Sequence, residues 1–414
     1  QYGKYARKSF DFIGSLNNFY AKQHKDGFIC RQINIFTGND TFERFDPAST
    51  GPNIMAWAEW EDYQLSGDKN RLKMVFPALA AYHRWLRKYR TWKDGTYFSS
   101  GWGCGMDNQP RIEDGYSPEF DHGHMSWIDI TAQQVLSAKT LIKISKEIDR
   151  DAETLDMVQE IELLIEYVNK YMWDEEEKFY FDRYKDGSLS KEKTIGAYWL
   201  LLTDMVPESR LDAFIGHLQD SNSFHTIHPV PSLARNSGGF YEDGGDYWRG
   251  GVWCITNLMV VKGLVSKGYG KLAHEISHKH VTMVAEVFMK TGSIWESYDA
   301  LKAQPGKLAG KFVRNEFVGF SGVGPITMLI EEVIGLKPDV ARNSLIWDIN
   351  LTEGHGIQRY SFGVDGKIDL YCHPRKDRMS EPVIDAVSNK SISLIIRWEN
   401  SEKTIIIPKG GENK

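Results

Sequence analysis

The feature that most limits how this chain can fold is the spacing of its apolar residues, which changes near residue 340. Before that point they recur at steps of three and four, the period of one helix face. Val158, Ile161, Ile165, Val168 and Met172 form one such stripe, and Ile326, Leu329, Ile330, Val333 and Ile334 form another. Beyond it, Leu345, Trp347, Ile349 and Leu351 alternate with other residues, as do Ile392, Leu394, Ile396 and Trp398. Period two is the signature of a strand. The spacing therefore predicts a mainly helical body over 1–340 and a small antiparallel β module over 341–414.

Helix stops and starts refine this reading. About ten helices are expected, near 4–22, 53–65, 70–90, 127–148, 152–172, 191–204, 208–219, 252–267, 270–290 and 323–335. The last has Pro325 near its start, Gly335 just past its end and Pro338 beyond. Ser66-Gly67-Asp68 can end one helix and cap the next, and Pro77 predicts a kink or a late start in that next helix. Segment 252–267 is apolar nearly all round, so burial on every side is expected. In the module, Asp365-Gly366 signals a hairpin between Phe362-Gly363-Val364 and Lys367-Ile368-Asp369-Leu370. Asn400-Ser401 separates a further strand pair. Four long irregular stretches remain, at 24–51, 92–125, 222–250 and 292–320. Loops of that length usually carry function on a rigid scaffold.

Composition removes some function classes. The 414 residues carry a net charge of −6 with no basic block, which argues against a nucleic-acid partner. No apolar run reaches membrane-spanning length, so no membrane insertion is expected. The four cysteines, Cys30, Cys104, Cys254 and Cys372, show no metal or redox spacing and are expected as free thiols. The chain opens at Gln1 with no signal-peptide pattern, compatible with an exported protein or a trimmed one, and the compartment stays open. Aromatic residues are abundant, with 13 Trp. They suit sugar-ring stacking and the filling of helical cores equally well.

The chemistry-bearing residues fall in the long loops. Residues 103–111 read Gly-Cys-Gly-Met-Asp-Asn-Gln-Pro-Arg, placing Asp107 in a glycine-rich loop between Trp102 and Arg111. A second carboxylate, Glu296, sits in Ser-Ile-Trp-Glu-Ser-Tyr-Asp beside Trp295. Two carboxylates on separate aromatic loops suit acid/base chemistry on a sugar. Each has a plainer reading: Asp107-Asn108 as a turn, and Ser293 to Glu296 as a helix capping box. In a third stretch, residues 244–253, glycine pairs flank Tyr247, Trp248 and Arg249, followed by Trp253. It reads as a pocket wall or as a helix entry with core aromatics. Asp121-His122-Gly123-His124 could form half a metal site, but no second cluster at ligand spacing supports it. No metal and no cofactor are expected. Arg31 and Gln32, in the first long loop, are further pocket candidates.

Taken in order, these motifs resemble glycoside hydrolase family 63. Gly105-Met106-Asp107-Asn108-Gln109-Pro110-Arg111 is similar to that family's acid motif. Tyr247-Trp248-Arg249-Gly250-Gly251-Val252-Trp253 resembles its Tyr-Trp-Arg-Gly-x-x-Trp segment. Trp295-Glu296-Ser297-Tyr298 resembles the segment carrying the base, which the related family 37 trehalases share, and Phe320-Ser321-Gly322 resembles the stretch that follows. The resemblance spans roughly residues 100–335. It implies an (α/α)6 toroid, the six-hairpin glycosidase fold, and inverting hydrolysis of an α-linked glucoside or mannoside. It also implies Asp107 as acid, Glu296 as base, and Trp102, Arg111, Tyr247, Trp248, Arg249, Trp253, Trp295 and Phe320 near the sugar. Inversion calls for carboxyls roughly 6.5–9.5 Å apart. The chain departs from the family in having Cys104 where Ser is common, and in a β module that follows the helices where a large β domain often precedes them. The rival readings are a non-catalytic carbohydrate-binding protein on the same scaffold and a polysaccharide lyase on a similar toroid.

Overall fold

The computed structural model describes residues 2–7, 9–410 and 412–413. Helices form at α1 (Phe12–Ala21), α2 (Met55–Ser66), α3 (Lys69–Tyr89), α4 (Gly101–Cys104), α5 (Ile128–Glu147), α6 (Leu155–Tyr171), α7 (Glu208–Gly216), α8 (Cys254–Ser266), α9 (Gly270–Thr291) and α10 (Phe320–Met328). The α2–α3 junction follows its local chemistry. Gly67 takes φ +73° at the end of α2, and the Asp68 carboxylate accepts the amides of Asn70 and Arg71 at the start of α3. Pro77 does not delay α3, which begins at Lys69 and continues through it. Around it Val75, Phe76, Leu79 and Ala80 are all buried, so packing holds the helix across the missing amide.

Three expected helices take a different form. The 4–22 segment splits into a 3₁₀ turn (Lys4–Ala6) and α1, because Asp11 caps a new start by accepting the Gly14 amide. The 191–204 segment is a 3₁₀ run, Ile195–Leu202, started by Thr194, whose side chain accepts the Gly196 amide. The 323–335 helix begins earlier, at Phe320, and its last turns widen into a π-helix (Leu329–Ile334) ending at Gly335 with φ +97°.

Successive inner elements pack side by side in the order α2, α5, Ile195–Leu202, α8 and α10, with α3, α6 and α9 outside them. The N-terminal 3₁₀ turn packs on α10 and joins the ends of the row. Its Lys4 ammonium meets Glu61 of α2 at 2.7 Å and also Glu331, while Lys262 of α8 reaches the same two carboxylates at 3.1 and 2.5 Å. A buried lattice of alternating charge thus closes a helical toroid. Removing one member would strand the others without water. Helix α8 is buried on nearly all sides, as its composition requires. Its Gly263 lies so close to Leu201 that a Cβ would sit 2.7 Å from the leucine Cβ.

The C-terminal module is two four-stranded sheets enclosing a separate core that includes Leu345, Trp347, Ile368, Leu394 and Ile396. It is not purely antiparallel: Ile392–Trp398 runs parallel to Ser344–Asp348. Between these two strands the chain builds the hairpins of the other sheet, so it returns in the original direction. The expected hairpin forms with its turn shifted upstream. Phe362 pairs with Gly366, and Gly363 takes the left-handed conformation at φ +66°.

Candidate active site

The long loops between inner and outer helices bring the acid motif and the aromatic motif together. Asn108 fastens them, its amide donating to the Asp246 carbonyl at 2.9 Å and its carbonyl oxygen accepting the Trp248 amide at 3.0 Å. Gln109 adds two more ties, to the Ser232 carbonyl and the Thr194 hydroxyl, at 2.6 and 2.7 Å. Gly101 is required here. A Cβ on it would lie 2.3 Å from the carbonyl oxygens of both Asp107 and Pro118. Asp107-Asn108 is indeed a turn, and that turn presents a half-buried carboxyl that no side chain among the described residues hydrogen-bonds.

Burial pushes the Asp107 carboxyl up to about 6, and the charges of Glu119 and Glu296 add to the rise, while Arg31 opposes it. A carboxyl in that range holds its proton at mildly acidic pH and can donate it. Glu296 is buried on a non-helical segment, so the capping box does not form. Ser293 instead accepts the Glu316 amide at 2.8 Å. The Glu296 backbone is held at both ends: its amide donates to the Arg314 carbonyl at 2.9 Å, and its carbonyl accepts the Ser321 hydroxyl at 2.8 Å.

Tyr247 touches one acid and feels the charge of the other. Its hydroxyl donates to Glu296 Oε1 at 3.2 Å, and burial together with the charges of both Glu296 and Asp107 holds the phenol far above its usual range. Its backbone is strained, with φ +69° and ψ −102°, a rare conformation for a bulky residue. Trp253 locks it there. The indole donates to the Tyr247 carbonyl at 3.1 Å, the two rings meet edge to face at 4.8 Å, and Trp248 stacks on Trp253 at 3.9 Å. Phe320 packs against Trp253 at 6.2 Å. On the acid side Trp102 packs against Phe120 and Phe42, and the Arg31 guanidinium lies over the Phe42 ring. One Arg31 amino group, Nη1, is buried without a hydrogen-bond partner.

The other candidates find partners of their own. Arg111, expected beside the sugar, is buried behind the loop, and all five of its N–H groups are occupied. It forms bidentate pairs with Asp129 (2.7 and 2.9 Å) and Asp182 (2.7 Å each), and its remaining N–H faces the Cys104 sulfur. Trp295 donates to Thr291 at 2.9 Å, at the end of α9, and packs on Phe312. Gln32 is exposed, its backbone carbonyl accepting the Thr41 amide. Arg249 pairs with neither acid; its Nε donates to the Gly239 carbonyl, and Asp246 lies 3.8 Å from its Nη1. Cys104 is buried and held as a thiol by that burial and by Asp129. Glu119, whose charge also acts on Asp107, carries no local mark in the sequence. Nothing local distinguishes it from a solvent-facing glutamate until its segment folds back on residues 101–107.

The sequence profile of the mannosylglycerate hydrolase MGH1-like glycoside hydrolase domain matches residues 16–312. The chain belongs to this family. It is a glycoside hydrolase, with a carbohydrate substrate, in the six-hairpin glycosidase superfamily. A protein of Borreliella burgdorferi described only as uncharacterized is 26% identical over 416 residues, covering 98% of this chain and 84% of that one. Mannosylglycerate hydrolase MGH1 of Selaginella moellendorffii is 44% identical over 52 residues, 13% of this chain and 10% of that one. Among solved structures, the family 63 mannosylglycerate hydrolase of Thermus thermophilus in complex with Tris and D-glycerate superposes with a TM-score of 0.63 at 20% identity, covering 80% of this glycoside hydrolase and 91% of its own chain.

Proposed function

We propose that this glycoside hydrolase inverts the configuration of an α-linked mannoside or glucoside whose aglycone bears a carboxylate, glycerate foremost. Asp107 protonates the departing oxygen. Glu296 removes a proton from water on the opposite face of the ring, and the anomeric carbon passes through an oxocarbenium-like state. The observation that carries this reading is the coupling of both acids to Tyr247, with the Asp107 carboxyl pushed up by burial and Glu296 held at side chain and backbone. Arg31 supports the acidic aglycone. Its guanidinium lies on the Asp107 side with Nη1 buried and unpartnered, a setting that a carboxylate could complete. The names of the relatives point to the same substrate class.

The test is hydrolysis of α-mannosylglycerate and α-glucosylglycerate with the first-formed sugar anomer followed by NMR. The β anomer is expected first. An α anomer first would overturn inversion, and turnover of neutral α-glycosides alone would overturn the acidic aglycone. Because the acid is protonated below about pH 6 and ionised above, kcat/KM is expected to fall by roughly tenfold per pH unit on the alkaline side. Tyr247→Phe keeps the ring packed on Trp253 but removes a donor to a buried carboxylate. It is expected to lower kcat by roughly ten- to a hundredfold with thermal unfolding unchanged. Wild-type rates in that variant would take the hydroxyl out of the mechanism.

A further inference from the structure

The first turns of α9 carry a second set of potential ligands that the sugar chemistry does not use. Residues 274–278 read His-Glu-Ile-Ser-His. On a helix that spacing puts two imidazoles on one face, four residues apart, the arrangement by which zinc hydrolases present two nitrogens to one ion. Here both rings line one groove of about 580 Å³ between α9 and the β module, with Asn350, Leu351, Thr352 and Glu353 on the opposite wall. Their centroids are 6.3 Å apart. The pair lies within a regular helix, outside the long loops that carry the other candidates.

We propose that His274 and His278 form a binding site for a first-row transition cation of the Zn²⁺ class, in the groove between the helical toroid and the β module. His274 is prepared as a ligand. It is buried, and its Nδ1 lies 2.8 Å from the Glu332 carbonyl, a bond it can make only as donor, so Nε2 carries the lone pair. A backbone carbonyl behind a metal-binding histidine fixes its tautomer and orientation. Most of the cations around the groove are already paired: Lys271 with Glu399 at 2.5 Å, Lys279 with Glu275 at 2.7 Å, and Lys337 with Glu332 at 3.2 Å and Asp348 at 3.0 Å. Glu353 and Arg378 also line the groove.

The site is not a peptidase centre. Glu275, which would have to serve as base, is engaged with Lys279 and His225. Among the described residues no group of three or more His, Cys, Asp or Glu is arranged to hold an ion, so water completes the coordination shell. From His278 to the end of α9 is 13 residues, about 20 Å along the helix. The loop bearing Glu296 begins only there.

The test is calorimetric titration of the tag-free full chain with Zn²⁺, with thermal unfolding in parallel. One equivalent is expected to bind and to raise Tm, since an ion bound only to the folded state stabilises it. His278→Ala, at an exposed position, is expected to weaken binding by roughly tenfold or more and to abolish the Tm rise. It should leave glycoside hydrolysis unchanged, which separates this site from the hydrolase reading. Absence of Zn²⁺ binding, or binding undiminished in His278→Ala, would overturn the proposal. So would a groove that binds inorganic phosphate in place of the metal.

Discussion

Replacing Asp107 by Asn is expected to lower kcat by roughly 10²- to 10⁴-fold on substrates with poor leaving groups, the usual worth of a positioned acid. The fold should not change. The acid loop is held by Asn108, Gln109 and Arg111, and among the described residues no hydrogen bond to another side chain depends on the Asp107 carboxyl. The decisive contrast is the leaving group. A glycosyl fluoride leaves without protonation, so the variant should retain most of its activity toward fluorides while losing the natural linkage. The alkaline fall above about pH 6 should vanish with the group that causes it. Unchanged turnover of the natural linkage would remove Asp107 from the mechanism.

Replacing Arg111 by Met is expected to cost about 3–5 kcal/mol of folding stability, read from denaturant unfolding. The side chain is nearly inaccessible, and Asp129 and Asp182 beside it are fully buried, so the variant leaves two carboxylates in the interior with no counter-charge. Burial and the neighbouring Asp129 already raise the Asp182 carboxyl even with the arginine present. Because the penalty comes from stranded charge, adding Asp129→Asn and Asp182→Asn to the same chain should recover much of the loss. Arg111 lies four residues after Asp107, so activity should also fall through disorder of the acid loop. A variant as stable as the parent would mean that the carboxylates find water, against the burial observed.

Much of the helical body could be read from period alone. The Asp68 cap and the buried α8 depend on neighbours within a few residues, and they form as expected; the α6 helix forms too, but its buried face is shifted, with Met157 and Leu164 inward and Val158 exposed. The readings that changed depend on distant partners. Ile195–Leu202 is apolar enough for an α-helix but winds as a 3₁₀ run between α5 and α8. The parallel pairing of Ile392–Trp398 with Ser344–Asp348 cannot be read from alternation, which is the same for either direction. The same divide runs through the site. Asp107, Tyr247 and Glu296 were marked by glycine-rich and aromatic surroundings in their own segments. Arg111 carried the same local mark and proved to be an internal strut, while Glu119, with no mark, acts on the acid through space.

By itself the sequence determined which segments are helical and which extended, and the order of motifs that names the family. Backbone periodicity and short-range motif chemistry are written in consecutive residues. Only the tertiary structure decided which way each side chain faces. It turned Arg111 inward to two aspartates, left Arg31 with an unpartnered nitrogen, set the Tyr247 hydroxyl against Glu296, and lined one groove with His274 and His278. Those outcomes depend on what packs against each residue from far along the chain, and a charged group's role follows from the partner it finds and the water it loses.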